Sequence, residues 1–408
     1  MAKIFSDVVV SIDVGTTKVC TIVARRKNDG TTEIIGVGKS PSHGLRKGIV
    51  VDINKTIESL KTSIQEAELV SGYPIELATI GVSGSHIRSF NSFGAAPIKH
   101  NEVRDHDIER VLEAARAIAI PEGQQILHVL PQYFSIDGQE HILNPRGMTG
   151  IRLEAQVHII TGSIASIQNL VTCCQMAGIR VQDIVLEQLA SSRAVLTQDE
   201  CELGVGILDI GGGTSDFAIY QNGGIRQTHV VPIAGNHFTS DLAIGLQTTI
   251  NEAERVKKEC GIYQTNSIAQ LIAVKKINDD DTHLVSPSQL AYILQPRAQE
   301  LFAIIKKELE KNKLIPFMTT GLVLTGGSSL LSGIDSVARE ILHIPVRLGM
   351  PKTGHILPES LDNPIYATGY GLLLYAFENH TQTPIDLAKA TAVSRVFVRM
   401  KSWINDFF

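Results

Sequence analysis

The chain has 408 residues, enough for two or more domains with full cores. Hydrophobic residues make up 43% and charged residues 19%, an ordinary composition, and the net charge of −5 argues against a general nucleic-acid binder. Five scattered cysteines without Cys-x-x-Cys spacing fit reduced thiols better than disulfides or a zinc site, and no apolar run approaches the ~20 residues that span a bilayer. No signal peptide is visible at the N-terminus, and thirteen histidines show no metal-ligand spacing.

The first informative segment runs from Val9 to Val23: an apolar strand, the turn Asp13-Val14-Gly15-Thr16-Thr17, and a second strand opening with Lys18. Glycine takes positive φ without steric cost and lets backbone N–H groups approach phosphate oxygens. Thr16 and Thr17 add hydroxyl donors, and Lys18 adds a point charge suited to phosphate. Residues 33–40 and 75–83 read as strands, with a helix at Ile53–Val70 between them.

Residues 84–162 form a block of their own. An amphipathic helix opens at Asp105, with Ile108, Val111, Leu112, Ala115 and Ile118 on one face. Strands follow at Gln125–Ile136 and Arg152–Ile160, and Gly138–Gly150 reads as a polar loop. A helix at Ser163–Ala177, a strand at Val181–Leu186 and a helix at Glu187–Leu196 lead into the second half.

There the opening signature recurs. Val205–Leu208 is a strand, Asp209-Ile210-Gly211-Gly212-Gly213-Thr214 a turn, and Ser215–Tyr220 a second strand. One such copy is most simply an ordinary hairpin; two copies with Asp and Gly in the same places point to a pair of phosphate grips. Asp13 and Asp209 are hard oxygen ligands that cannot touch phosphate directly, so a hydrated Mg²⁺ between them and the phosphates is the natural reading. No P-loop and no Gly-x-Gly-x-x-Gly opening a helix after a strand exists.

Thr239–Gly261 reads as one helix carrying Glu254 and Lys257, Asn278–Thr282 as a solvated loop, and Gln289–Lys311 as a long helix. Gly321–Thr325 is a buried strand entering Gly326-Gly327-Ser328-Ser329, a flat turn suited to stacking against a nucleobase or ribose. Ala367–Phe377 is a small-residue helix whose Gly369 and Gly371 allow close packing, with Leu189–Val195 as its mate. Asn379–Ala392 is a polar linker. In the last segment Val393, Val396, Phe397, Met400, Trp403, Ile404 and Phe407 share one helical face, and Arg395, Arg399 and Lys401 lie off it. That is the composition of a helix lying in an anionic membrane interface.

The paired turns, the Gly-Gly turn and the two small-residue connecting helices resemble the actin/Hsp70/sugar-kinase ATPase superfamily. The block at 84–162 and the amphipathic tail resemble, within it, the FtsA family of bacterial cell-division proteins, over nearly the whole chain. The fold this implies is α/β: an actin-like, two-lobed ATPase of duplicated ribonuclease-H-like domains with an inserted subdomain. The expected divisions are 1–83 with 163–199 and 358–378 (first lobe core), 84–162 (insert), 200–240 with 312–357 (second lobe core), 241–311 (small subdomain), 379–392 (linker) and 393–408 (membrane helix).

The resemblance places ATP and Mg²⁺ in the cleft. Asp13, Gly15, Thr16, Thr17 and Lys18 match the first phosphate motif, Gly211, Gly212, Gly213 and Thr214 the second, and Asp13 and Asp209 the Mg²⁺-associated acids. Gly326, Gly327 and Ser328 match the adenosine motif, Glu254 and Lys257 flank ribose and base, and Gly235 completes the set. Glu187 stands where the superfamily keeps its water-activating acid or amide, so it is the candidate general base of a weak or absent ATPase activity. The resemblance also implies actin-like filaments on the cytoplasmic face of the inner membrane at the division site. They would tether the FtsZ ring through its C-terminal tail and recruit later division proteins through residues 84–162. Arg297 matches a basic position in the tail-docking region, although the nearby Asp279-Asp280-Asp281 is acidic. The alternatives are a pilus-assembly relative, which generally lacks such a terminal helix, and a sugar-kinase-type phosphotransferase, which needs a catalytic Asp by a sugar pocket.

Overall fold

The computed structural model describes residues 8–27, 32–262, 271–277, 282–352 and 361–380. The expected membrane helix, nearly all of the expected linker and Asp279-Asp280-Asp281 lie outside the described residues.

Two five-stranded sheets repeat one topology. In the first, the order is Arg180–Leu186, Leu77–Val82, Val8–Val14, Lys18–Arg26, Thr32–Pro41. In the second it is Val346–Leu348, Leu322–Thr325, Val205–Ile210, Ser215–Gln221, Gly224–Val231. Each begins with three antiparallel strands in a row, and the first of these then takes a parallel neighbour on its other edge. The first strand of each set is central, so helices can cover both faces; Val205–Ile210 is buried along its whole length, as such strands require.

The helix Ile53–Ser71 starts where the Asp52 side chain accepts from Lys55 N and stops at Gly72, which has φ 65°. Ile57, Leu60 and Ile64 on its buried face join the first sheet's core. A separate core gathers the second sheet with the helices Gly235–Leu246, Ile250–Glu259 and Pro287–Lys311. The expected helix Thr239–Gly261 is thus two helices. Gln247 takes a left-handed conformation with φ 54°, and the Thr249 hydroxyl caps the second helix.

The block after Val82 is a four-stranded sheet in the order Arg88–Pro97, Arg152–Ser163, Gln124–Ile136, Gln139–Ile142. The helix Asp105–Arg116 packs on it through Ile108, Val111, Leu112 and Ala115, closing a third core. The stretch expected as loop therefore contains a strand, Gln139–Ile142, which pairs back through the tight turn Asp137-Gly138.

The helices Glu187–Val195 and Ala367–His380 cross at a point with no room for a side chain. A Cβ on Gly371 would sit 1.7 Å from the Ala190 carbonyl oxygen. Nearby, the Ser11 hydroxyl donates to the Gly369 carbonyl at 2.9 Å. The crossing fixes the second of these helices against the first sheet.

Candidate nucleotide-binding cleft

Both turns close in the same way. Gly15 N donates to Lys18 O at 3.0 Å, and Gly211 N donates to Thr214 O at 3.0 Å. Each turn ends a buried hairpin of its own sheet, and the two meet face to face. A Cβ on Gly213 would lie 2.4 Å from Thr16 Oγ1, and one on Gly212 would lie 2.3 Å from Thr17 Cγ2. Only glycine allows this approach, and the bare backbone it leaves is the surface an anion needs.

Between the turns lies a cleft of about 320 Å³, the size of a small-ligand site. Asp13, Gly15, Thr16, Thr17, Lys18, Glu187, Asp209, Gly211, Gly212, Gly213, Thr214, Glu254, Lys257, Gly326, Gly327 and Ser328 all line it. Gly235 stands one layer behind: its N–H donates to Gly211 O at 3.0 Å, and a Cβ there would strike Ser328 Oγ at 2.3 Å. Gly326, at φ 83°, brings its turn against Asp209, whose Oδ1 would be 2.2 Å from a Cβ. Arg297 is not among the lining residues. It forms a two-pronged ion pair with Asp241, at 2.7 and 2.9 Å.

The cleft floor concentrates buried acid. Asp13 is 5% exposed, Asp209 7% and Asp216 2%. Asp13 is ion-paired with Lys18 at 2.7 Å. Burial opposes the charge on Lys18, but Asp13 outweighs it and holds the ammonium above its usual range. Asp209 accepts from Thr368 Oγ1 at 2.9 Å, and burial pushes its pKa up to about 6. Asp216 accepts from Thr214 Oγ1 at 2.9 Å and from Ser83, and burial raises it to about 7. Burial, then Asp216, Asp13 and Asp209, drive Glu187 well above the ordinary carboxylate range. Asp209, Asp216 and Glu187 thus resist ionisation, and Lys18 beside them is already paired with Asp13.

No group of three or more His, Cys, Asp or Glu side chains is arranged as a metal cage among the described residues. Mg²⁺ keeps several waters and binds through one or two carboxylates plus substrate phosphates. Asp13 and Asp209 are placed for such a role, facing the cleft on equivalent strands. At the other end Glu254 pairs with Lys257 at 2.6 Å and accepts from Thr239 Oγ1 at 2.5 Å. Burial opposes its charge, yet those partners hold it below its usual pKa.

A family model described as the SHS2 domain inserted in FtsA matches residues 84–161, and that of the cell division protein FtsA matches residues 206–371. The cell division protein FtsA of Pseudomonas aeruginosa is 42% identical over 408 residues, covering 98% of each chain. The chain belongs to the FtsA family.

Solved structures add the fold. A PilM–PilN type IV pilus biogenesis complex aligns with TM-score 0.65 at 16% identity, covering 90% of this chain and 98% of that one. MreB5 of Spiroplasma citri bound to ADP aligns with TM-score 0.57 at 14% identity, covering 92% and 99%. This FtsA-family chain therefore has the actin-like fold with the family's inserted subdomain. Sequence reasoning missed several cleft residues. Asp216 and Ser83 bond each other beneath the turns, Thr368 arrives from the far connecting helix, and Gly48, Asn236 and Lys258 line the rim. Asp216 had a local signal, since it lies within the second signature, two residues after Thr214.

Proposed function

We propose that this chain binds Mg²⁺·ATP between its two facing turns and, in that state, assembles on the cytoplasmic face of the membrane as the anchor of the FtsZ ring. The observation that carries the reading is the contact of Gly212 and Gly213 with Thr17 and Thr16. Where the two turns meet, the glycine backbone of one lies against the threonine side chains of the other, so a polyphosphate in the cleft is held by both lobes. Each turn would donate N–H and hydroxyl groups, and the triphosphate would complete the interface between the sheets. Burial, and then Asp216, Asp13 and Asp209, raise the pKa of Glu187 well above the ordinary carboxylate range, and a bound cation would lower it towards that of a working base. That supports slow or negligible turnover, with ATP setting the assembly state.

Membership of the family supports the division role, the FtsZ tail and later division proteins as partners, and self-assembly into filaments. Among the described residues no helix is long and apolar enough to cross a membrane. The anchor in this reading is the segment from Val393 to Phe408, whose sequence puts Trp403 and Phe407 on one helical face and Arg395, Arg399 and Lys401 off it. The test is co-sedimentation with anionic liposomes, with and without ATP, comparing the full chain with one ending at Ala392. The full chain alone should pellet and should carry FtsZ with it. Equal behaviour of the two chains would remove the tether.

A further inference from the structure

The inserted subdomain is spliced into the first lobe, between the strand Leu77–Val82 and the helix Ile164–Met176, yet its sheet is bonded to the second lobe. The bonds fall on Gly224–Val231, the edge strand that pairs with Ser215–Gln221 and so adjoins the second turn. Ser89 Oγ donates to Thr228 O at 2.8 Å. Gln132 Nε2 donates to Ile225 O at 2.8 Å and to Arg226 O at 3.0 Å. His158 is wholly buried, with Nδ1 2.7 Å from Asn91 Oδ1 and Nε2 2.9 Å from Thr228 Oγ1. Burial keeps the ring neutral, so Nδ1–H donates to Asn91 and Nε2 accepts from the Thr228 hydroxyl.

Two strand irregularities meet at this joint. Gln156 pairs with Tyr133 and Val157 with Pro131, which leaves Gln132 outside the ladder. Ile219 pairs with Gln227 and Tyr220 with Ile225, which leaves Arg226 outside its own. A bulge bends its strand and re-aims a side chain. Here one bulge turns an amide toward the second lobe, and the other offers it two consecutive carbonyls. Gly224 lets the backbones close up, since a Cβ there would lie 3.0 Å from Gln132 O. Beneath the polar contacts, Leu127, Leu130 and Ile160 of the insert share one core with Tyr220 and Ile225 of the second lobe. The strand Gln124–Ile136 also reaches the cleft. Ile160 pairs with His128 and Thr161 with Ile126, so a further bulge at Leu127 precedes His128. His128 Nε2 accepts from Leu186 N at 3.1 Å, and Leu186 is the N-cap of the helix that opens with Glu187.

We propose that the insert is a latch between the lobes: Gln132 and His158 seat on the second lobe when the cleft is closed, and His128, a positioning residue, carries that seating to the turn entering Glu187. Hydrogen bonds are directional, so a rotation of one lobe on the other would stretch the contacts along Gly224–Val231 together. A ligand that closes the cleft therefore favours the latch, and the latch favours that ligand by the same factor. The proposal rests on the nucleotide reading above for its probe, ATP.

The experiment joins titration of the full chain with a fluorescent ATP analogue in Mg²⁺ to hydrogen–deuterium exchange. The variants are Gln132→Leu, Thr228→Val and Thr228→Ser, at positions that do not touch the cleft. Gln132→Leu and Thr228→Val should each weaken ATP binding roughly fivefold, while Thr228→Ser, which keeps the hydroxyl for His158, should stay within about twofold of wild type. In wild type, Mg²⁺·ATP should slow exchange of Leu186 and of the strands 124–136 and 224–231 along with both turns. In Gln132→Leu at saturating ATP the turns should stay protected and Leu186 should not. Unchanged affinity in both disruptive variants, or equal losses for Thr228→Val and Thr228→Ser, would overturn the latch and leave the cleft reading standing. So would wild-type protection confined to the turns, a result that needs no variant to fold. A wild-type chain that binds no ATP would overturn both.

Discussion

The crossing of the connecting helices makes the sharpest stability prediction. Replacing Gly by Ala inside a helix ordinarily gains about 1 kcal/mol from propensity. At Gly371 the added methyl would lie 1.7 Å from Ala190 O, 2.3 Å from its carbonyl carbon and 3.0 Å from its Cα. All three are backbone atoms, so no rotamer change relieves the clash. The helices must part by roughly 1.5 Å to restore ordinary contact. Overpacking of this kind costs about 1–3 kcal/mol and sometimes more. Displacement would also stretch the Ser11–Gly369 and Thr368–Asp209 bonds, each worth about 1 kcal/mol. Gly371→Ala should therefore destabilise by about 2 kcal/mol or more net and weaken nucleotide binding. Gly369→Ala is the control: its methyl would first meet the flexible end of Ile22 at 3.2 Å, so it should stay within about 1 kcal/mol of wild type. Thermal unfolding followed by circular dichroism measures both. Gly371→Ala as stable as the parent would refute the idea that the helices meet at backbone contact.

Asp209 gives a pH prediction. Its pKa is about 6 in the folded chain against 3.8 unfolded, so the native state holds the proton more tightly. Its stabilising contribution is full below pH ~4 and disappears as pH rises through about 6. Nucleotide-free Asp209→Asn should gain on wild type as pH rises from 4 to 7; a pH-independent difference between their melting temperatures would contradict this. The difference is the right quantity, because His158 acts oppositely: burial lowers its pKa to about 3, and it costs stability below pH ~6.5. Glu187→Gln should lower phosphate release in Mg²⁺·ATP while leaving ATP affinity within about threefold, since the amide keeps the side chain's shape; unchanged release would remove Glu187 as the base. Gly327→Leu should weaken ATP binding at least tenfold without loss of stability, because Gly327 lines the cleft and a Cβ there would have, among the described residues beyond its chain neighbours, Ile365 at 3.6 Å as its one contact within 4 Å. Equal affinity in a titration would make that turn purely structural.

The parts of the site that could be read from sequence are those written in consecutive residues. Asp13 to Lys18 and Asp209 to Thr214 each carry their own strand, turn and strand. The Gly326–Ser328 turn likewise follows directly on its buried strand. What escaped is contributed across distance. Thr368 reaches Asp209 over 159 positions and Ser83 reaches Asp216 over 133, and neither residue type announces such a role. Gly48 joins the site only because the fold sets its N–H on Thr16 Oγ1, 32 positions away. In the insert, Arg88–Pro97 is a strand built largely from Ser, Asn, Gly and Ala, residues with weak strand preference that pairing with Arg152–Ser163 overrides. Gln139–Ile142 had a signal that could have revealed it, because Asp-Gly is a strong hairpin turn and Asp137 and Gly138 both take positive φ. The left-handed Gln247 is not marked by its own side chain, but Thr249, three residues before Glu252, is a helix-start signal just beyond the break.

The central claim is that one nucleotide is held by both lobes at once. Hydrogen–deuterium exchange of the full chain, with and without Mg²⁺·ATP, tests it without altering a residue. The account predicts slowed exchange in residues 13–18 and 209–216 together, at the same ATP concentration. Protection confined to one turn, or appearing in the two at separate concentrations, would contradict it.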